Sequence, residues 1–449
     1  MTLLDDLKTL LGDNAVLDGE AMGQGPASDM SYTGHSRPRA LIRPRTIEQV
    51  SAVMKLCHAA GVPVIAQGGM TGLAGGSNPA GDEIALSLAL LRGIEEVDTA
   101  SATMVVKAGT PLEECQKAAA DAGLFLALDL GSRGSCQIGG NLSTNAGGIR
   151  VIRYGMAREQ VLGLEVVLAD GTVISSMNRM LKNNAGYDVK HLFIGSEGTL
   201  GIITRAVLRL HPPPGDIATM LCAVASYDQV VSLLRRAQSA LGGVVAFEAM
   251  WRDYFAFNVA ALKLRFFADE HAFAVIIETT QPRDAIDAFL AACLEDGLIA
   301  DAVISQSHAQ AREIWSVREG NPVETLPNLQ NFDVSLPIGQ IGDYAVACTA
   351  ALKARWPGAH VSFYGHVGDS NVHICVSTLY GPGEDMHSVD DIVYGVLGNY
   401  GGSISAEHGI GTLKRPYLHL SRSAEELALM RSLKQALDPK GILNPGKVI

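Results

Sequence analysis

The chain has 449 residues, 47% of them hydrophobic and 18% charged, with 48 glycines and a formal net charge of −12. This composition excludes a disordered, fibrous or disulfide-dense chain, and the length exceeds one ordinary core, so two or three domains of about 100–200 residues are expected. The acidic balance argues against a general affinity for nucleic acid, and an anionic substrate would need a local cationic pocket.

The amino terminus, MTLLDDLKTLLGDNAVL, sets acids among its leucines and reads as an amphipathic helix, not a signal peptide. No run reaches the roughly 18 apolar residues of a membrane helix, so a cytoplasmic protein without a membrane span is expected. The seven cysteines (Cys57, Cys115, Cys136, Cys222, Cys293, Cys348 and Cys375) are odd in number, dispersed and free of any Cys-x-x-Cys pair, which predicts reduced, buried thiols.

From Arg37 the pattern alternates. A strand at 40–44, a helix at 46–61 and a strand at 62–66 make a βαβ signature. A strand at Thr103–Lys107, a helix from Pro111 to Ala122 and a strand over 162–171 follow, and Asp170-Gly171 predicts a hairpin turn into Thr172–Ser175. His211-Pro-Pro-Pro-Gly215 can continue neither a helix nor a central strand, so the first boundary falls there. Beyond it, strands at 221–226 and 272–279 alternate with helices near 227–241 and 282–296, as in a second α/β layer. A polar-faced helix from Ser423 to Leu437 and the turn-rich DPKGILNPGKVI close the chain.

Two glycine clusters carry the first functional signal. Five glycines lie between Gly68 and Gly76 at a strand end, and six lie between Gly131 and Gly148. Glycine lets backbone amides converge on an anion, and two such loops could embrace a long diphosphate ligand. The pattern is unlike the single Gly-x-Gly-x-x-Gly that opens a dinucleotide-binding helix.

In the carboxy-terminal half, VSFYGHVGDSNVHICV at 361–376 has two β-rich arms about a polar centre. A two-residue turn at Asp369-Ser370 would put Gly368 opposite Asn371, Val367 opposite Val372 and His366 opposite His373, both imidazoles on one face and close enough for one metal ion. Ser405-Ala406-Glu407-His408-Gly409 adds a carboxylate. Two imidazoles and Glu407 would be three protein ligands of an open catalytic metal site.

QGGMTGLAGGS, DLGSRGSCQIGGNLSTNAGG, Arg153-Tyr154-Gly155 and GYDVKHLFIGSEGTLGIIT occur in the order and spacing of the vanillyl-alcohol-oxidase FAD domain, also called the p-cresol-methylhydroxylase (PCMH) type. GHVGDSNVH and SAEHGIG resemble the carboxy-terminal motifs of the FAD-dependent D-2-hydroxyacid dehydrogenases, the family of D-lactate and D-2-hydroxyglutarate dehydrogenase. The resemblance runs from about Asp29 to Val448. It implies an α+β chain with a PCMH-type FAD-binding domain over 1–212, an α/β substrate or cap domain over 213–405 and a short helical segment, 406–449, that returns to the FAD domain.

By this resemblance Gln67, Gly68, Gly69, Met70, Thr71, Gly72, Leu73 and Ser77 would cradle the diphosphate. Asp129, Gly139, Gly140, Asn141, Thr144, Asn145, Gly147 and Gly148 would line the flavin and ribityl chain, and the backbone from Gly198 to Ile203 would hold the adenine end. With no histidine between Gly61 and Lys190, and Cys115 and Cys136 the only nearby thiols, non-covalent FAD is expected. His366, His373 and Glu407 would bind a divalent metal, zinc or manganese, with His408 as the base. Arg318 would clamp the substrate carboxylate, though without the resemblance it reads as a helix-surface arginine, and Asn371 would lie near the substrate hydroxyl. The implied partners are a small (R)-2-hydroxy acid and an electron acceptor such as an electron-transfer flavoprotein or a quinone. A homodimer is compatible with the resemblance.

The 2-hydroxyglutarate enzymes carry a lysine where this chain has Asn331 and a threonine where it has Pro322. Both departures favour a D-lactate-like substrate over a five-carbon diacid. Ser370 stands where the family usually has glycine. Competing readings are a D-2-hydroxyglutarate dehydrogenase, an oxygen-using flavin oxidase, a metal-dependent hydrolase built on His366, His373 and Glu407, and a binding protein without catalysis.

Overall fold

The computed structural model describes residues 2–379 and 387–449. The chain divides into two compact units, one made of Met1–Gly148, Tyr154–Pro213 and Glu407–Ile449, the other of Ile149–Arg153 and Pro214–Ala406.

In the first unit the helix Ile47–Ala60 starts where Thr46 accepts the amide of Gln49, and it stops at Gly61, whose φ of 64° closes the last turn. It buries Val50, Val53, Met54 and Cys57. A four-stranded sheet runs in the order Val16–Leu17, Ala40–Ile42, Ile84–Ser87, Val64–Gln67, with the last three parallel. A five-stranded antiparallel sheet follows in the order Ile94–Asp98, Thr103–Lys107, Ile202–Arg209, Val161–Val167, Val173–Ser176. The expected Asp170-Gly171 turn joins the last two, with Gly171 at φ 83°.

Ile42, Val64, Leu86, Met104, Leu164, Val166 and Ile203 belong to one buried cluster. Each such side chain contributes about 1.5–3 kcal/mol by leaving water. The carboxy-terminal segment joins the same unit: Val64 N–H bonds Ile442 O at 2.7 Å, and Asn444 N–H bonds Val64 O at 2.8 Å. Its helix Ala424–Leu437 opens on a Ser423/Glu426 capping box.

The second unit is one seven-stranded antiparallel sheet: Asp301–Ile304, Ala218–Val224, Phe273–Thr279, Val244–Trp251, His360–Gly365, Asn371–Ser377, Leu329–Ser335. The strand Val244–Trp251, not anticipated from sequence, carries Glu248 among otherwise apolar strand residues. Helix His308–Glu319, capped by Ser307, ends with Arg318 in its last turn. That end is pinned by Tyr254 Oη on Arg318 O (3.0 Å) and Asn258 Nδ2 on Val317 O (3.0 Å). Among the described residues no helix is long and apolar enough to cross a membrane.

Candidate active site

In the first unit the two glycine clusters face one cleft. Its wall includes Gln67, Gly68, Gly72, Ser77, Gly139, Gly140, Thr144, Gly198, Ile203 and His408 from the expected set, together with Asp29, Gln137, Ser143 and Glu197. Two glycines of these clusters are demanded by close approach. A Cβ on Gly69 would stand 2.1 Å from Ser135 O, and one on Gly139 would stand 2.7 Å from the Ala108 Cβ. With backbone in place of side chains, the wall fits a long, flat ligand with a phosphate-bearing tail, as FAD is.

The other expected flavin residues do not line this cleft. These are Gly69, Met70, Thr71, Leu73, Asp129, Asn141, Asn145, Gly147 and Gly148. Asp129 pairs with Arg133 at 3.0 Å, Asn141 Nδ2 donates to the Cys136 thiol at 3.5 Å, and Asn145 Oδ1 accepts the Arg158 amide at 2.9 Å. Their side chains shape the loop. Gly148 has φ 114°, and its N–H donates to Glu407 Oε1 at 2.9 Å.

Glu197 reaches the same wall from the Ser196-Glu197-Gly198 turn. Burial raises its pKa, against the Ile410 and Gly411 amides and the Lys414 charge, which lower it. Cys136 is buried, and burial raises its thiol pKa too, so it presents no exposed thiolate toward a flavin.

In the second unit the expected register of the histidine hairpin is corrected. His373 pairs with Tyr364 on one side and with Asp333 on the other, and His366 stands outside the ladder. A short 3₁₀ turn over Val367–Asp369, followed by Ser370 in the left-handed region (φ 75°), closes the hairpin with Asn371 N–H on His366 O at 3.2 Å. A two-residue turn needs fewer residues than this chain spends here. The two imidazoles nonetheless meet, with ring centroids 5.4 Å apart and planes at 81°.

Each imidazole has a carboxylate behind Nδ1. Glu248 Oε1 bonds His366 Nδ1, and Asp333 Oδ1 lies 4.0 Å from His373 Nδ1. The first contact is the arrangement that orients a histidine for metal binding through Nε2, whereas the second separation is beyond hydrogen-bond length. Glu248 also holds Arg318, whose Nε donates to its Oε2 at 2.9 Å. Burial by itself would raise the Glu248 pKa, but the His366 and Arg318 charges hold it below the ordinary glutamate value. Arg318 is itself buried, lies over the Tyr364 ring at 4.4 Å, and has Nη2 3.4 Å from His366 Nε2. It is therefore not a surface arginine. Desolvation opposes its charge, and the Glu248 carboxylate more than restores it.

Asn371 is 3% exposed, and neither polar atom of its side chain has a hydrogen-bond partner among the described residues. Asp333 Oδ2 accepts the amide of Ala406 at 3.1 Å, fixing the end of this unit just before Glu407. Sequence reading missed Glu248 and Asp333. An acid inside an otherwise apolar strand, VVAFEAMW, was the available signal for the first.

A cleft walled by glycine backbone beside a histidine suits a flavin-dependent oxidoreductase, and comparison with known proteins shows that class. The FAD binding domain model matches residues 38–176, and the model of the C-terminal domain of FAD linked oxidases matches 213–448. A D-2-hydroxyglutarate dehydrogenase of Xanthomonas citri pv. viticola is 41% identical, covering 92% of this chain and 89% of its own. The mitochondrial D-2-hydroxyglutarate dehydrogenase of Bos taurus is 38% identical, covering 99% of this chain and 83% of its own.

Among solved structures, p-cresol methylhydroxylase with substrate bound gives a TM-score of 0.75 at 16% identity, over 99% of this chain and 96% of that one. Alkyldihydroxyacetonephosphate synthase gives 0.76 at 17%, over 99% and 84%. These show the fold, an α+β architecture with a PCMH-type FAD domain. The chain belongs to the FAD-dependent D-2-hydroxyacid dehydrogenase family and is an FAD-dependent oxidoreductase.

Proposed function

We propose that the protein oxidises a small (R)-2-hydroxy acid to the 2-oxo acid, with Arg318 and Asn371 binding substrate, His366, His373 and Glu407 holding a divalent metal, and His408 as the base. The observation that carries this reading is Arg318. It is buried and fixed through Nε to Glu248, and Nη1 makes no hydrogen bond among the described residues. A buried amide without partners is costly unless a ligand supplies polar atoms, and a 2-hydroxy carboxylate brings three oxygens to it and to the Arg318 fork. The planar fork takes the carboxylate, and Asn371 can take the hydroxyl oxygen.

Bound flavin supplies a hydride acceptor, and the fit of the cleft without an exposed thiol supports non-covalent FAD. A divalent metal, zinc or manganese, would supply Lewis acidity toward the hydroxyl, and the Glu248 carboxylate on His366 Nδ1 suits such a site. His408, on the wall of the flavin cleft, takes the hydroxyl proton as the α-hydrogen leaves as hydride. The domain assignments 1–212 for flavin, 213–405 for substrate and 406–449 as the returning segment follow from this division of labour.

The relatives act, by their names, on D-2-hydroxyglutarate. Asn331, which accepts the Cys375 thiol at 3.2 Å, and Pro322 stand where the sequence resemblance expects the lysine and threonine of 2-hydroxyglutarate enzymes, and support a D-lactate-like substrate. The reduced flavin passes its electrons to an electron-transfer flavoprotein or a quinone, and the seven free, buried cysteines suit a cytoplasmic setting. The test is anaerobic bleaching of the bound flavin by D- and L-lactate and D- and L-2-hydroxyglutarate. Bleaching by a D-acid is expected, and bleaching by none of them would overturn the proposal.

A further inference from the structure

Glu197 sits in the first unit on a left-handed backbone (φ 51°), in a turn whose N–H is tied to Ser143 O at 2.8 Å. Its carboxylate does not point into solvent. Oε1 accepts the amide of Ile410 at 2.7 Å, and Oε2 accepts that of Gly411 at 2.9 Å. These are the second and third residues after His408. On the other side of the same segment, Ala74 O accepts the amides of Thr412 (3.0 Å) and Leu413 (3.2 Å).

The segment is therefore gripped between the Ser196-Glu197-Gly198 turn and the first glycine loop, and it is packed without slack. A Cβ on Gly409 would lie 2.9 Å from Glu197 Oε1, and one on Gly411 would lie 2.0 Å from Ala74 O. Asn444 Nδ2 closes the knot by donating to both Glu197 O (2.6 Å) and Gly76 O (3.1 Å).

Two amides converging on one side chain require a group that only accepts. A carboxylate does this, whereas a glutamine would turn its NH₂ against one of them. Glu197 and His408 line the same flavin cleft. We propose that Glu197 is a positioning residue for His408: by holding the amides of Ile410 and Gly411 it fixes the backbone that aims the imidazole into the flavin cleft. This rests on the reading of His408 as the base. The reaction needs donor, acceptor and base in one geometry, and a displacement of about 1 Å costs on the order of 100-fold in rate.

The test is a double-mutant cycle in the FAD-loaded protein, with Glu197→Gln, His408→Ala and the pair, measuring the limiting rate of anaerobic flavin reduction, the substrate concentration for half-maximal rate, and bound flavin. Glu197→Gln is expected to lower the limiting rate by about 10-fold or more, to leave the half-maximal concentration and flavin content near wild type, and to cost almost nothing further in the His408→Ala background, because coupled residues are not additive. An unchanged rate, an equal loss in both backgrounds, or loss of flavin would each overturn the proposal. A wild-type rate in His408→Ala alone would instead show that the reading of His408 had failed, and Glu197 with it. Should Glu197→Gln not fold, Glu197→Asp, which keeps the acceptor and shortens its reach, takes its place with the same outcomes.

Discussion

Glu248 Oε2 lies 2.9 Å from Arg318 Nε in the interior of the second unit, and its other oxygen bonds His366 Nδ1. One carboxylate thus orders both the cation proposed for the substrate and an imidazole proposed for the metal. Glu248→Gln is expected to raise KM and lower the metal content of the purified protein, as loss of an outer partner of a metal ligand does by about 10–100-fold in affinity. Because the folded pKa of Glu248 lies below its ordinary value of 4.5, its stabilisation is complete above that value and is lost as pH falls through the lowered one. Glu248→Ala, which leaves Arg318 buried without its partner, should cost about 3–5 kcal/mol at pH 7, and the gap from wild type should shrink in acid below the ordinary glutamate range. Denaturant midpoints at pH 7 and at about pH 3, below the ordinary glutamate range, check it.

Arg318→Lys keeps the charge and removes the fork. The Nε contact to Glu248 and the stack on Tyr364 cannot be reproduced by a point charge. Substrate kcat/KM should fall by about 10-fold or more, equivalent to at least about 1.4 kcal/mol, with flavin content unchanged. An equal kcat/KM would remove Arg318 from the site.

His408→Ala should retain flavin and metal yet slow flavin reduction by about 100-fold, the usual scale for loss of a general base. Metal analysis beside the reduction rate separates a base from a ligand, since a ligand variant would lose metal first.

Two glycines of the second cluster should respond in opposite ways. Gly140 lies in the helix Ile138–Ser143 with nothing within 4 Å of an added Cβ, and it faces the cleft. Gly140→Ala should leave the apoprotein as stable as wild type, or up to about 1 kcal/mol more so, while weakening FAD binding. Gly148, at φ 114° with an added Cβ 2.0 Å from Asp129 O, cannot accept a side chain, so Gly148→Ala should lower Tm by several degrees or prevent folding. Flavin titration and thermal unfolding of both apoproteins measure the contrast.

The sequence alone determined the elements with local causes. Caps, periodicity and turn residues mark the helices Ile47–Ala60, Leu112–Asp121, Tyr227–Leu241 and Ala424–Leu437, and the Asp170-Gly171 hairpin, within a few residues of where they lie. Glycine spacing marked the flavin loops, because the demand for backbone without a Cβ is written in residue type. The tertiary structure alone decided what long-range approach creates. The Glu248 carboxylate finds His366 118 residues away, and the Glu197 carboxylate finds Ile410 213 residues away. The hairpin register turned on Ser370 adopting a left-handed conformation that residue type only weakly signals. Buried ion pairs and clamped amides depend on which strands become neighbours, and that choice is made by burial summed over the whole sheet, not by any local run of residues.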